Sequence, residues 1–176
     1  MNKHNLAIMA GILTTQLRQA YPGRNFNVRG IAAGWTSNPT DRAYFVVGER
    51  DVCLASSRTV SMSESPAKIT QQVIKDFKEC RQFLNPTLFE DMKFVKQVLA
   101  DEYPGHDFAA VIYTEHADRA RMKVIGADLK YVLKITGANQ ENNVVSVRIA
   151  VTESPPEALR AEIIEECNAI VGKVFE

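Results

Sequence analysis

Two ten-residue stretches decide how this chain is read. The first is Leu17-Arg18-Gln19-Ala20-Tyr21-Pro22-Gly23-Arg24-Asn25-Phe26; the second, 82 positions on, is Leu99-Ala100-Asp101-Glu102-Tyr103-Pro104-Gly105-His106-Asp107-Phe108. Leu, Tyr, Pro, Gly and Phe recur at matching places. Upstream, at the same offset, Leu6 meets Leu88, Ala10 meets Met92 and Leu13 meets Val95. Positions 6, 10, 13, 17 and 21 trace the apolar stripe of an amphipathic helix. Each helix is then ended by Tyr-Pro-Gly, because proline biases the residue before it away from helix and glycine permits a tight turn. The pattern implies an internal duplication.

Working outward from these turns, three strands are expected after the first helix, near 26–35, 43–48 and 52–62. A helix follows, capped by Ser65 with Pro66 at its first position, and carrying the stripe Ile69, Val73, Phe77, Cys80 and Leu84. The second unit repeats the order. Asn85-Pro86 caps a helix over 86–102, and strands follow near 108–115, 128–136 and 143–152. Met122 to Ile125 is a further short strand candidate. A last helix opens with a capping box of Ser154 and Glu157, and its apolar positions are Leu159, Ile163, Cys167, Ile170 and Val174. The connections are too short for parallel crossovers, so the fold class expected is α+β: two tandem related helix–three strands–helix units with mainly antiparallel sheets. The units are placed at 1–84 and 85–176, whether or not they fuse into one compact domain. Strand alternation in the second unit puts Lys130, Lys134 and Arg148 on a wet face, opposite Leu129, Tyr131, Leu133 and Ile135.

The order helix–three strands–helix resembles that of the double-stranded-RNA-binding domain. That family grips phosphates with a lysine-rich start to its second helix. Here the corresponding place offers only Lys68 in the first unit, and Pro156 and Glu157 in the second. The resemblance therefore extends to element order and not to the binding residues.

The 176 residues carry 45% hydrophobic and 24% charged side chains, the composition of an ordinary folded protein. No apolar run is long enough to span a membrane, and no secretory leader opens the chain. The net charge of zero hides an asymmetry: residues 1–84 hold 11 Lys and Arg against 6 Asp and Glu, and residues 85–176 hold 10 against 15. A +5 half beside a −5 half points to a partner, or to attraction between the halves. Cys53, Cys80 and Cys167 form no CxxC pair, and they read as small buried hydrophobes of a reducing, cytoplasmic compartment.

Catalytic signals are scarce. The common phosphate-loop and hydrolase motifs are absent, and no cofactor is expected. His106 with Asp107, and Glu115-His116 with Asp118, lack the helical i, i+4 spacing of a zinc pair, so no metal site is expected. The candidate partner-binding residues are Arg29, Trp35, Arg42, Arg50 and Arg58, with Arg24 and Tyr44 among them. Arginine forms forked hydrogen bonds to acidic groups, and Trp with Arg is a frequent pairing at interface hot spots. The function expected is a non-enzymatic binding protein acting through protein–protein contact, as an inhibitor, a chaperone-like protein or an assembly subunit. A nucleic-acid-binding protein using the basic first unit is the alternative.

Overall fold

A computed structural model describes residues 3–33, 41–114, 129–141 and 143–175. The chain divides into two compact units at Asn85/Pro86, with Thr114 counted in the first. The described residues form four helices and seven strands, an α+β protein. No helix among them is long and apolar enough to cross a membrane.

In the first unit α1 (Lys3–Ala20) precedes β1 (Asn27–Ala32), β2 (Arg42–Glu49), β3 (Val52–Ser56), β4 (Val60–Ser61) and α2 (Pro66–Glu79). β2 pairs antiparallel with β1, β3 and β4. Leu6, Ala10, Leu13 and Leu17 of α1 are buried, as the stripe predicts, and Met9 joins them, together with Phe45 and Val47 of β2 and Ile69, Val73 and Phe77 of α2. Ser65 caps α2 by accepting a hydrogen bond from the Lys68 amide at 3.4 Å.

Two expectations fail here. The strand expected over 52–62 is broken into β3 and β4, because Ser57 and Arg58 spend their hydrogen bonds elsewhere. The Ser57 hydroxyl accepts from the Phe45 amide at 2.9 Å, and the Arg58 amide donates to the Asp76 carboxylate at 2.8 Å. The stripe of α2 also stops before Leu84. Cys80 is the C-cap in extended conformation, so helical period no longer applies beyond it; Phe83 turns inward and Leu84 stands exposed.

In the second unit α3 (Thr87–Glu102) precedes β5 (Phe108–Tyr113), β6 (Leu129–Ala138), β7 (Val144–Thr152) and α4 (Pro156–Val174). β6 pairs antiparallel with β5 and β7. Its core joins Leu88, Met92 and Val95 to Ile112, Tyr131, Leu133, Ile135, Ile163 and Ile170. Both expected caps are displaced by one residue. Pro156 requires extended backbone before it, so Pro155 (ψ 148°) occupies the cap position of α4. Ser154 is left outside, its hydroxyl 2.6 Å from that of Thr152. Pro86 caps α3, while the Asn85 side chain donates to that of Gln82 at 2.6 Å. Lys130 also departs from the expected wet face. It sits at a register shift between Leu129 and Tyr131, and its ammonium lies 2.6 Å from Asp91 of α3. Lys134 and Arg148 remain directly opposite each other across β6 and β7. The strand candidate Met122 to Ile125 lies outside the described residues.

Both Tyr-Pro-Gly turns close alike. Gly23 has φ +86° and Gly105 φ +88°, the left-handed region that favours glycine. The Tyr21 and Tyr103 amides bond back to Leu17 and Leu99 at 2.9 and 3.0 Å. Arg24 and His106 then bond to the tyrosine carbonyls at 3.2 and 3.1 Å.

Candidate functional site

The register of β1 on β2 assembles the candidate surface. Val28, Ala43, Phe45 and Val47 face the helices and are buried. Alternation sends their neighbours to the other side of the sheet. There Ile31 is directly opposite Tyr44, and Arg29 is opposite Val46. Arg29 and Arg42 are exposed, Tyr44 and Val46 are half-buried, and Ile31 is 39% exposed. The result is an aliphatic–aromatic pair with an arginine two residues away along each strand.

Arg42 also reaches the edge of a cleft of about 620 Å³ between β4 and α2, lined with Ser61, Lys68, Gln72 and Lys75 among others. Lys68 is paired with Glu64 at 2.6 Å, and Lys75 stands 4.0 Å from Glu79. The cleft is polar, and its lysines carry acidic neighbours.

The remaining candidates are scattered. Arg50 sits in the turn between β2 and β3 with φ 56°, about 27 Å of extended chain from Arg42. Arg58 is committed to the fold: its guanidinium reaches Asp76 at 2.5 Å and Glu79 at 3.3 Å. Asp76 is 1% exposed. Burial by itself would raise its carboxyl, but the Arg58 side-chain and backbone donors, with Gln72 at 2.9 Å, outweigh that and hold it below the usual carboxylate range. Trp35 lies outside the described residues. Arg24 is bound at 2.7 Å to Glu49, a buried carboxylate that also accepts from the Asn25 amide at 2.7 Å. The β1–β2 register places Arg29, Arg42 and Tyr44 on one stretch of sheet; it does not join Arg50 or Arg58 to them.

Two features escaped the sequence reading. Ile31 was not singled out, because an isoleucine within a strand reads as core. Asp76 lies on the buried side of α2 with Ile69, Val73 and Phe77, and a charge interrupting an apolar stripe was the available sign of a buried ion pair.

The reactive thiols are enclosed: all three cysteines are buried and none is in a disulfide. Burial pushes the Cys53 thiol up to about 12 and Cys167 up to about 11, far from the thiolate needed for nucleophilic work. The His106 ring packs edge-on against Tyr103 and Phe175 and stacks on Phe108. His116 lies outside the described residues, and among the described ones no group of three or more His, Cys, Asp or Glu is placed to hold a metal ion. In the second unit the buried Tyr131 hydroxyl is raised first by desolvation and then by the neighbouring Asp91 carboxylate. No protein-family model, curated protein or solved structure matches the chain.

Proposed function

We propose that the chain is a non-enzymatic binding protein, and that the open face of the β1–β2 sheet is where a protein partner sits. The observation that carries this reading is the Ile31–Tyr44 pair flanked by Arg29 and Arg42. Protein interfaces combine an apolar or aromatic centre with arginine. A phosphate backbone instead calls for a run of cations with little apolar surface between them. The +5 charge of residues 1–84 selects an acidic partner surface. An inhibitor, a chaperone-like protein and an assembly subunit all work through such a face. Three buried thiols, none in a disulfide, support a reducing, cytoplasmic setting. The matching Tyr-Pro-Gly turns, and a helix–strands–helix order in which β3 and β4 stand where the second unit has one strand, support descent of both units from one helix–three strands–helix ancestor.

A specific observation favours a nucleic-acid partner as the second reading. Lys68, Lys75 and Lys78 are exposed, and their spacing of seven and three residues puts them along one side of α2.

Capture from source-cell lysate, with and without nuclease, separates the two. For a protein partner, one protein is retained after nuclease treatment, and Tyr44→Ala weakens its binding about 30-fold. Arg29→Glu with Arg42→Glu abolishes binding while thermal melting stays near that of the parent chain, because exposed charge changes shift stability by less than about 0.5 kcal/mol each. Loss of capture on nuclease treatment, with salt-sensitive heparin retention that Lys68→Glu, Lys75→Glu and Lys78→Glu remove, overturns it in favour of nucleic acid.

A further inference from the structure

β7 pairs with β6 along nearly its whole length and is, among the described residues, the last strand of the sheet on that side. It has nine residues, Val144 to Thr152, with no proline, no lysine and a single charge. Natural edge strands are commonly short, charged or interrupted, because a row of unpaired backbone groups recruits another strand. β1, the outer strand of the first unit, follows that rule: it has six residues, with Arg29 and an internal Gly30. β7 does not. At its start Val144 is 60% exposed, more than any other large hydrophobic residue among those described.

Among the registers that pair the exposed Val144 with another residue of β7 on its own face, one sets it against an apolar partner. Antiparallel neighbours must share a sheet face, so a strand paired with its own copy turns about a residue. A two-fold axis at Arg148 sets like charges against each other, and one at Ser146 sets Val144 against Arg148. An axis at Val147 places Val147 opposite itself and Val145 opposite Ile149. On the other face it places Val144 opposite Ala150 and Ser146 opposite Arg148. Apolar side chains meet apolar ones throughout, and the one charge meets a hydroxyl.

We propose that β7 is a homodimerisation edge, two copies pairing antiparallel about Val147. This is a self-complementary contact of the kind two-fold dimers use. It stands apart from the face proposed for the first unit, and either can fail without the other.

Sedimentation equilibrium of the full chain tests it. The expected mass rises from 19.6 kDa to twice that value across the micromolar range. Ser146 is exposed, its hydroxyl 2.8 Å from that of Thr136 on β6, so its variants forgo one exposed hydrogen bond and leave the fold in place. Ser146→Glu faces Arg148 twice in the dimer and tightens it about tenfold, whereas Ser146→Lys loosens it about tenfold. Val147→Cys, opposite its own copy, forms a disulfide-linked dimer under mild oxidation; Ser146→Cys does not. A chain monomeric at 100-fold higher concentration overturns the proposal. So does a dimer that both Ser146 charge variants leave unchanged, since it forms through another surface.

Discussion

Tyr21 and Tyr103 end their helices with the same turn and then lead different lives. Tyr103 is buried, and its hydroxyl donates to the Ile164 carbonyl and also lies 2.8 Å from the Asn168 side chain, both on α4. Tyr21 is half-buried and works through its ring, edge-on to Phe26 and Phe83 at 5.8 Å. The phenylalanines trade places accordingly. Phe26 is fully buried and stacks on Phe83 at 5.4 Å, whereas Phe108 is half-buried against Phe175 at 5.9 Å. A local motif dictates backbone, then, and the element packed over it decides which ring bears the load.

That contrast can be broken by mutation. Phe26→Ala is expected to destabilise the first unit by about 3–5 kcal/mol, the usual cost of emptying a closed aromatic site. Phe108→Ala costs the second unit less, since part of that ring already meets water. Denaturant unfolding of both variants compares them, and equal losses would remove the distinction between the two clusters.

Asp76→Asn is expected to cost about 1–3 kcal/mol, because it weakens the hydrogen bonds that end β3 and hold Arg58. It also changes the pH profile. The Asp76 carboxyl is lower in the folded chain than in the unfolded one, so its contribution is complete above the unfolded value near 4. That contribution is lost as pH falls through the folded value. Acid titration of stability should therefore be shallower in Asp76→Asn than in the parent chain.

Gly23→Ala and Gly105→Ala sharpen the shared half of the comparison. A Cβ at either position meets nothing within 4 Å, so only the left-handed backbone opposes it. Each should cost about 1–2 kcal/mol, and both should cost the same. Tyr103→Phe, which loses the hydroxyl contacts to α4, should cost about 1 kcal/mol, against almost nothing for Tyr21→Phe. Thermal unfolding of the four variants reads both comparisons.

The legible part of the candidate surface was limited in a physical way. Arg29, Arg42 and Tyr44 could be named because arginine and aromatic residues stand out in any strand. Their grouping could not, since it depends on which residue of β1 lies opposite which residue of β2. Arg58 looked like its neighbours in composition, and a carboxylate 18 residues away engages its guanidinium although the side chain stays exposed.

Hydrophobic period and turn chemistry are local properties, carried within about ten residues. They determined the α+β class, the order of the helices, the buried stripe of α1 and α4, and both glycine turns. Tertiary structure alone decided the rest: the break between β3 and β4, the one-residue shifts of two helix caps, the turn of Lys130 toward Asp91, and the place of β7 at the end of the described strands. Each of these depends on a hydrogen bond, ion pair or neighbouring strand reached through space, and burial makes such partners costly to leave unmet.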